Sequence, residues 1–160
     1  RRQLNAMVVP GHQVAVAKGD AEQDISPGCW HLLDGLEQRV IVPEGDVVLV
    51  LCTLQYRPLF SDEGCRGRFT LARDGQPLDK GYGLQSVRST ALGPLTSQAG
   101  RSLSMMFMDS PPAGDCVYSA HCCITLGEDQ DTAVLSLEND EEVFTRQLAT
   151  VRFPQTIVFG

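Results

Sequence analysis

The chain is poor in the patterns that announce a membrane anchor or a catalytic centre. No apolar run approaches the roughly 18 residues that a membrane-spanning helix needs. The longest, Val47 to Leu54, has the length of a buried strand. No segment repeats apolar residues at helical spacing over the roughly ten positions of a dependable helix, so strands must carry the fold. Basic residues are few, 13 against 20 acidic ones, and the formal charge of −7 excludes general affinity for nucleic acid. Arg66 and Arg68 come nearest to a basic patch and read as solvated strand positions. No cysteine pair has the two-residue spacing of a zinc knuckle or a redox motif. A Gly-rich phosphate loop, a Ser-His-Asp order and a His-Glu metalloprotease motif are missing as well.

What remains is a chain of 160 residues, the size of one domain with a real core. We read residues 1–160 as a single β-sandwich domain in which 1–28 form a less regular N-terminal segment. The chain opens at Arg1-Arg2 without an initiator Met and is read as a processed product or as part of something longer. A secreted or organellar protein freed of its targeting peptide is the expectation.

Short β-branched and aliphatic runs recur between turn signals. Arg39 to Val42 leads through Pro43-Glu44-Gly45-Asp46 into Val47 to Tyr56, apolar on both faces up to Cys52 and read as a central strand. Arg68 to Arg73 alternates cleanly, and Asp74-Gly75 is a strong tight-turn dipeptide. Pro77 places the return strand at an edge. Lys80 to Ala99 reads as a long connection with one short strand near Leu84 to Val87. Arg101 to Ile124 reads as a β-hairpin around Asp109-Ser110-Pro111-Pro112-Ala113-Gly114, and Val134 to Leu137 and Gln147 to Phe153 follow as strands. Trp30, the one tryptophan, is expected to be a buried anchor. About eight to ten short strands imply an all-β, antiparallel β-sandwich.

The run Val40-Ile41-Val42-Pro43-Glu44-Gly45, the strand Val47 to Tyr56, Arg73-Asp74-Gly75, and Met108 to Gly114 followed by Val117-Tyr118-Ser119 resemble compact jelly-roll heads. These are the heads of C1q-like and TNF-like domains and of phage tail-fibre tips. The resemblance spans roughly Trp30 to Phe153, and the Asp-Ser-Pro-Pro-Ala-Gly turn is its most specific piece. It implies a ten-stranded jelly-roll sandwich, usually a trimer, that binds a partner or caps a fibre without catalysis.

Candidate chemistry is sparse. Cys29, Cys65 and Cys116, beside loops, are the candidates for a disulfide in an oxidising compartment, against all thiols free in a reducing one. Cys52 reads as a buried free thiol. His121 and Cys122 are neighbours in a strand and face opposite ways, and strand alternation is taken to part His121 from Cys123 too. Glu128, Asp129 and Asp131 are candidate calcium ligands without the EF-hand order, as are Asp140, Glu141 and Glu142. Met105, Met106 and Met108 alternate between faces and read as packing residues. Ile157, Val158 and Phe159 form an apolar tail that either completes the sheet or covers a partner. The expected function is non-catalytic: a protein–protein interaction module or structural subunit, self-associating, as a trimer in one form, or built into a larger complex that includes a membrane complex. No cofactor is expected. The alternative is a module that binds calcium or carbohydrate through its acidic loops.

Overall fold

The computed structural model describes residues 14–19, 23–60, 66–78, 87–91, 101–126, 134–137 and 146–154. They form eleven strands and no helix: β1 (Val14–Gly19), β2 (Gln23–Ile25), β3 (His31–Val42), β4 (Val47–Phe60), β5 (Arg66–Arg73), β6 (Gln76–Pro77), β7 (Val87–Ala91), β8 (Arg101–Asp109), β9 (Gly114–Thr125), β10 (Val134–Leu137) and β11 (Arg146–Phe153). The all-β reading therefore holds, as two antiparallel sheets packed into a sandwich. Two strands, β1 and β2, lie in the segment expected to be less regular. Of the short strand expected near Leu84 to Val87, only Val87 lies among the described residues, where it opens β7.

The pairing follows one rule. β1 pairs with β11, β2 with β10, β3 with β9, β4 with β8 and β5 with β7, so that each strand meets the one equally far from the other end of the series. Three further ladders, β4 with β11, β4 with β10 and β5 with β9, join these nested pairs side by side. One sheet thus runs β1-β11-β4-β8, with β10 and β2 at the far end of β4. The other runs β3-β9-β5, with β6 and β7 along the remaining side of β5. β4 is central, as its composition predicts.

Alternation builds the core. Val48, Val50, Cys52, Leu54 and Tyr56 of β4 point inward and are buried, as do Phe69 and Leu71 of β5 and Tyr118, Ala120, Cys122 and Ile124 of β9. The rings of Tyr56 and Phe69, one from each sheet, stand 5.4 Å apart and tilted by 43°. Each fully buried Leu or Ile here contributes about 1.5–3 kcal/mol, which makes this layer the main source of stability.

Two local features follow from backbone geometry. Asp74 and Gly75, at φ 50° and 74°, form the expected tight turn, and Asp74 N–H donates to Val117 O at 2.8 Å while its Oδ1 accepts from Val117 N–H at 2.8 Å. β3 shifts register between Leu32 and Glu37, where Gly35 adopts φ 75°. A side chain at Gly35 would run into the backbone of Lys18 and Gly19, so β1 and β3 pack closely at this bulge.

Two expectations fail. Arg101 to Ile124 is not a hairpin: β8 belongs to the first sheet and β9 to the second, so Asp109 to Gly114 is an arch between sheets. The linker carries two prolines, which lack N–H groups for a tight turn, and β4 offers β8 nine in-register partners instead. Trp30 is 42% exposed rather than buried. Leu33 and Leu36 fill the core beneath that corner, and the Trp30 ring lies outside with the Arg68 guanidinium 5.8 Å from its centre.

Candidate interaction surface

The alternation that buries one side of β4 leaves its other side, and those of its neighbours, facing out. In the first outward row Val14 stands opposite Val151, Val151 opposite Leu49 and Leu49 opposite Met108. In the second, Val16 faces Ala149, Ala149 faces Leu51 and Leu51 faces Met106. The third row, Lys18-Gln147-Thr53-Ser104, is polar. Two complete apolar rows thus cross all four strands and stop at a polar margin.

Val16 is 46% and Met106 56% exposed, while Leu49, Leu51, Ala149 and Val151 are partly covered by their neighbours. Four strands spaced about 4.8 Å apart and two rows about 7 Å apart cover on the order of 300 Å². That matches the largest apolar patch of an ordinary monomer, a size at which such patches tend to be functional. It is also the size of an apolar centre within an interface of about 800 Å² per partner. Alternation in the sequence suggests that all three methionines are packing residues. Met105 is buried, but Met106 and Met108 are exposed, because β8 sits at the margin of this open face.

The outer side of the second sheet differs. Arg39 donates to Asp115 Oδ2 at 2.6 Å, and the hydrogen bond raises the Arg39 pKa and lowers that of Asp115. Both groups are well exposed, so the pair contributes little to stability. Ile41, beside it, is 70% exposed. Inward from these, Ser119 Oγ and His121 Nε2 lie 2.9 Å apart. Burial lowers the His121 pKa against the opposing pull of Glu37. Alternation parts His121 from Cys122, yet it returns Cys123 to the face of His121, which corrects the expectation that all three are separated. Cys123 Sγ is directed to Ile124 O at 3.7 Å.

At the seam between sheets, Asp109 Oδ2 accepts from Arg73 Nη1 at 2.6 Å and from Tyr118 OH at 2.9 Å. Burial, followed by the Asp109 charge, pushes the Tyr118 pKa up. Beside this cluster is a cleft of about 500 Å³ lined by Arg73, Leu78, Phe107, Met108 and Asp109 among others. A second cleft of about 290 Å³ lies between β1 and β3, above the buried Thr150.

Cys29 is exposed and Cys116 buried, and both are free thiols; Cys65 lies outside the described residues. Cys29 Sγ is 3.6 Å from His31 Nε2, a contact that the sequence did not indicate. Burial pushes the thiols of Cys52 and Cys122 up to about 12, far from a nucleophile's range. The calcium candidates Glu128, Asp129 and Asp131, like Asp140, Glu141 and Glu142, lie outside the described residues, as does the tail Ile157, Val158 and Phe159. Among the described residues no three His, Cys, Asp or Glu side chains gather into a metal-holding group. No helix among them is long and apolar enough to cross a membrane. No protein-family model matches the chain, and neither a curated protein nor a solved structure matches it.

Proposed function

We propose that the protein is a non-catalytic interaction module: a jelly-roll sandwich of the C1q-like and TNF-like type that self-associates, alone or within a larger assembly. The nested pairing of β1 with β11, β3 with β9, β4 with β8 and β5 with β7 supports the jelly-roll reading. A long antiparallel hairpin wrapped into two sheets produces that order, and double-sheet jelly rolls are built so.

The observation that carries the functional reading is the two-row apolar face across β1, β11, β4 and β8. Left in water, those side chains forgo about 25 cal/mol for each Å² that burial would remove. A second copy supplies an equally apolar face, and Lys18, Gln147, Thr53 and Ser104 supply a polar rim. The resemblance to C1q-like and TNF-like heads implies three protomers. Sedimentation equilibrium of the protein tests the proposal. A mass that is a multiple of the 17.4 kDa protomer is expected, and a protomer that stays single at every concentration contradicts it.

A further inference from the structure

β8 pairs with β4 in unbroken register over all nine of its residues, and among the described residues no strand pairs with its other side. An antiparallel strand directs the N–H and C=O groups of alternate residues to each side, so roughly four residues of β8 offer unpaired backbone groups. Exposed edges of this kind invite pairing with another chain, and proteins blunt them with charge, proline, bulges or short length. The edges of β1, β3 and β6 are blunted. β1 is six residues long, contains Lys18 and ends at Gly19. β3 is broken by its register shift and carries Asp34, Glu37 and Arg39. β6 has two residues, one of them Pro77. β8 has none of these devices from Ser102 to Met108, and its only charges, Arg101 and Asp109, stand at opposite ends with opposite sign.

We propose that the free edge of β8 pairs with β8 of a second copy, antiparallel about a two-fold axis through Met105. In that register Met105 meets itself, Ser104 meets Met106, Leu103 meets Phe107 and Ser102 meets Met108, so every residue faces one from its own side of the sheet. Arg101 falls opposite Asp109 at both ends. A slip by one residue would set inward side chains against outward ones. A slip by two keeps the faces but places Arg101 opposite Phe107. Leu103 of the second copy then covers the apolar wall that Phe107 and Leu78 present in the seam cleft.

The pairing joins two β1-β11-β4-β8 sheets into one and makes their apolar outer faces continuous. It does not rest on that face being covered. An assembly using both contacts contains an even number of protomers.

The test is hydrogen exchange of peptides spanning residues 101–109, read at low and high protein concentration alongside the sedimenting mass. Two variants separate the surfaces. Ser104→Lys places like charges diagonally across the proposed axis, whereas Val16→Glu charges the apolar face at the opposite edge of the sheet. The alternate amides of β8 not bonded to β4 should slow by at least about tenfold on concentration in the wild type and in Val16→Glu, and not in Ser104→Lys. Exchange that is unchanged by concentration, or the same in Ser104→Lys as in the wild type, overturns the pairing. An oligomer with fast-exchanging β8 amides overturns it too, while leaving the outer-face reading intact. Should Ser104→Lys not fold, the wild-type concentration series decides alone.

Discussion

Asp109 of β8 and Arg73 of β5 meet at 2.6 Å across the seam of the sandwich, and Tyr118 of β9 donates to the same carboxylate oxygen. This cluster ties the arch of the first sheet to two strands of the second. Asp109 is nearly buried, so removing its carboxylate leaves the Tyr118 hydroxyl without its partner and Arg73 with only Asp74, 4.0 Å away. Asp109→Ala should lower the unfolding free energy by about 3 kcal/mol, and Tyr118→Phe by about 1 kcal/mol, in urea titrations. Equal and small losses for the two would show that the cluster is not a tie.

Stability should fall on acidification through His121. Burial holds its folded pKa below the ordinary value, and the Glu37 charge only partly offsets this, so the unfolded chain binds the proton more tightly. The stabilising effect is therefore full above the unfolded value of about 6.5 and is lost as pH falls below it. His121→Asn should flatten the decline in unfolding free energy between about pH 7 and 5. A parallel decline in the variant would place the effect elsewhere.

The thiols should divide by burial. Cys29 is exposed, whereas Cys52 and Cys122 are buried with pKa values pushed up to about 12. Iodoacetamide at neutral pH should label Cys29 in the native protein and reach Cys52 and Cys122 only after denaturation, as read by mass spectrometry of the peptides. Rapid native labelling of Cys52 would contradict the core described above.

Gly35→Ala should cost about 2 kcal/mol or more, since φ is 75° and the new Cβ would come within 2.5 Å of Lys18 O and 2.6 Å of Gly19 Cα. Gly75→Ala is the comparison. Its φ of 74° is similar but the space around it is open, so about 1 kcal/mol is expected. Thermal or urea unfolding distinguishes the two, and a milder effect at Gly35 would mean that β1 and β3 are not in close contact.

The strands were legible wherever alternation was local, as in β5, or composition was extreme, as in β4. Pairing was not, because each strand's partner lies across the chain: Met108 and Gly114 are near neighbours in sequence, yet they belong to different sheets. Trp30 misled through its size, which favours burial, when nearby leucines had already filled the corner. The apolar face was invisible for a related reason. Its residues come from Val14 and Val16, Leu49 and Leu51, Met106 and Met108, and Ala149 and Val151, and only the sheet sets them side by side. In sequence each pair reads as half of an ordinary strand.

Leu51 sits in the second apolar row, between Ala149 and Met106, with its side chain directed away from the core. The most direct test of the proposed assembly is the solution mass of Leu51→Glu beside the wild type, by light scattering, with far-UV circular dichroism to verify the fold. A wild-type oligomer that becomes a smaller species of unchanged β-sheet content is the expected result. An unchanged mass in the folded variant would contradict the outer face of β1-β11-β4-β8 as the surface of self-association.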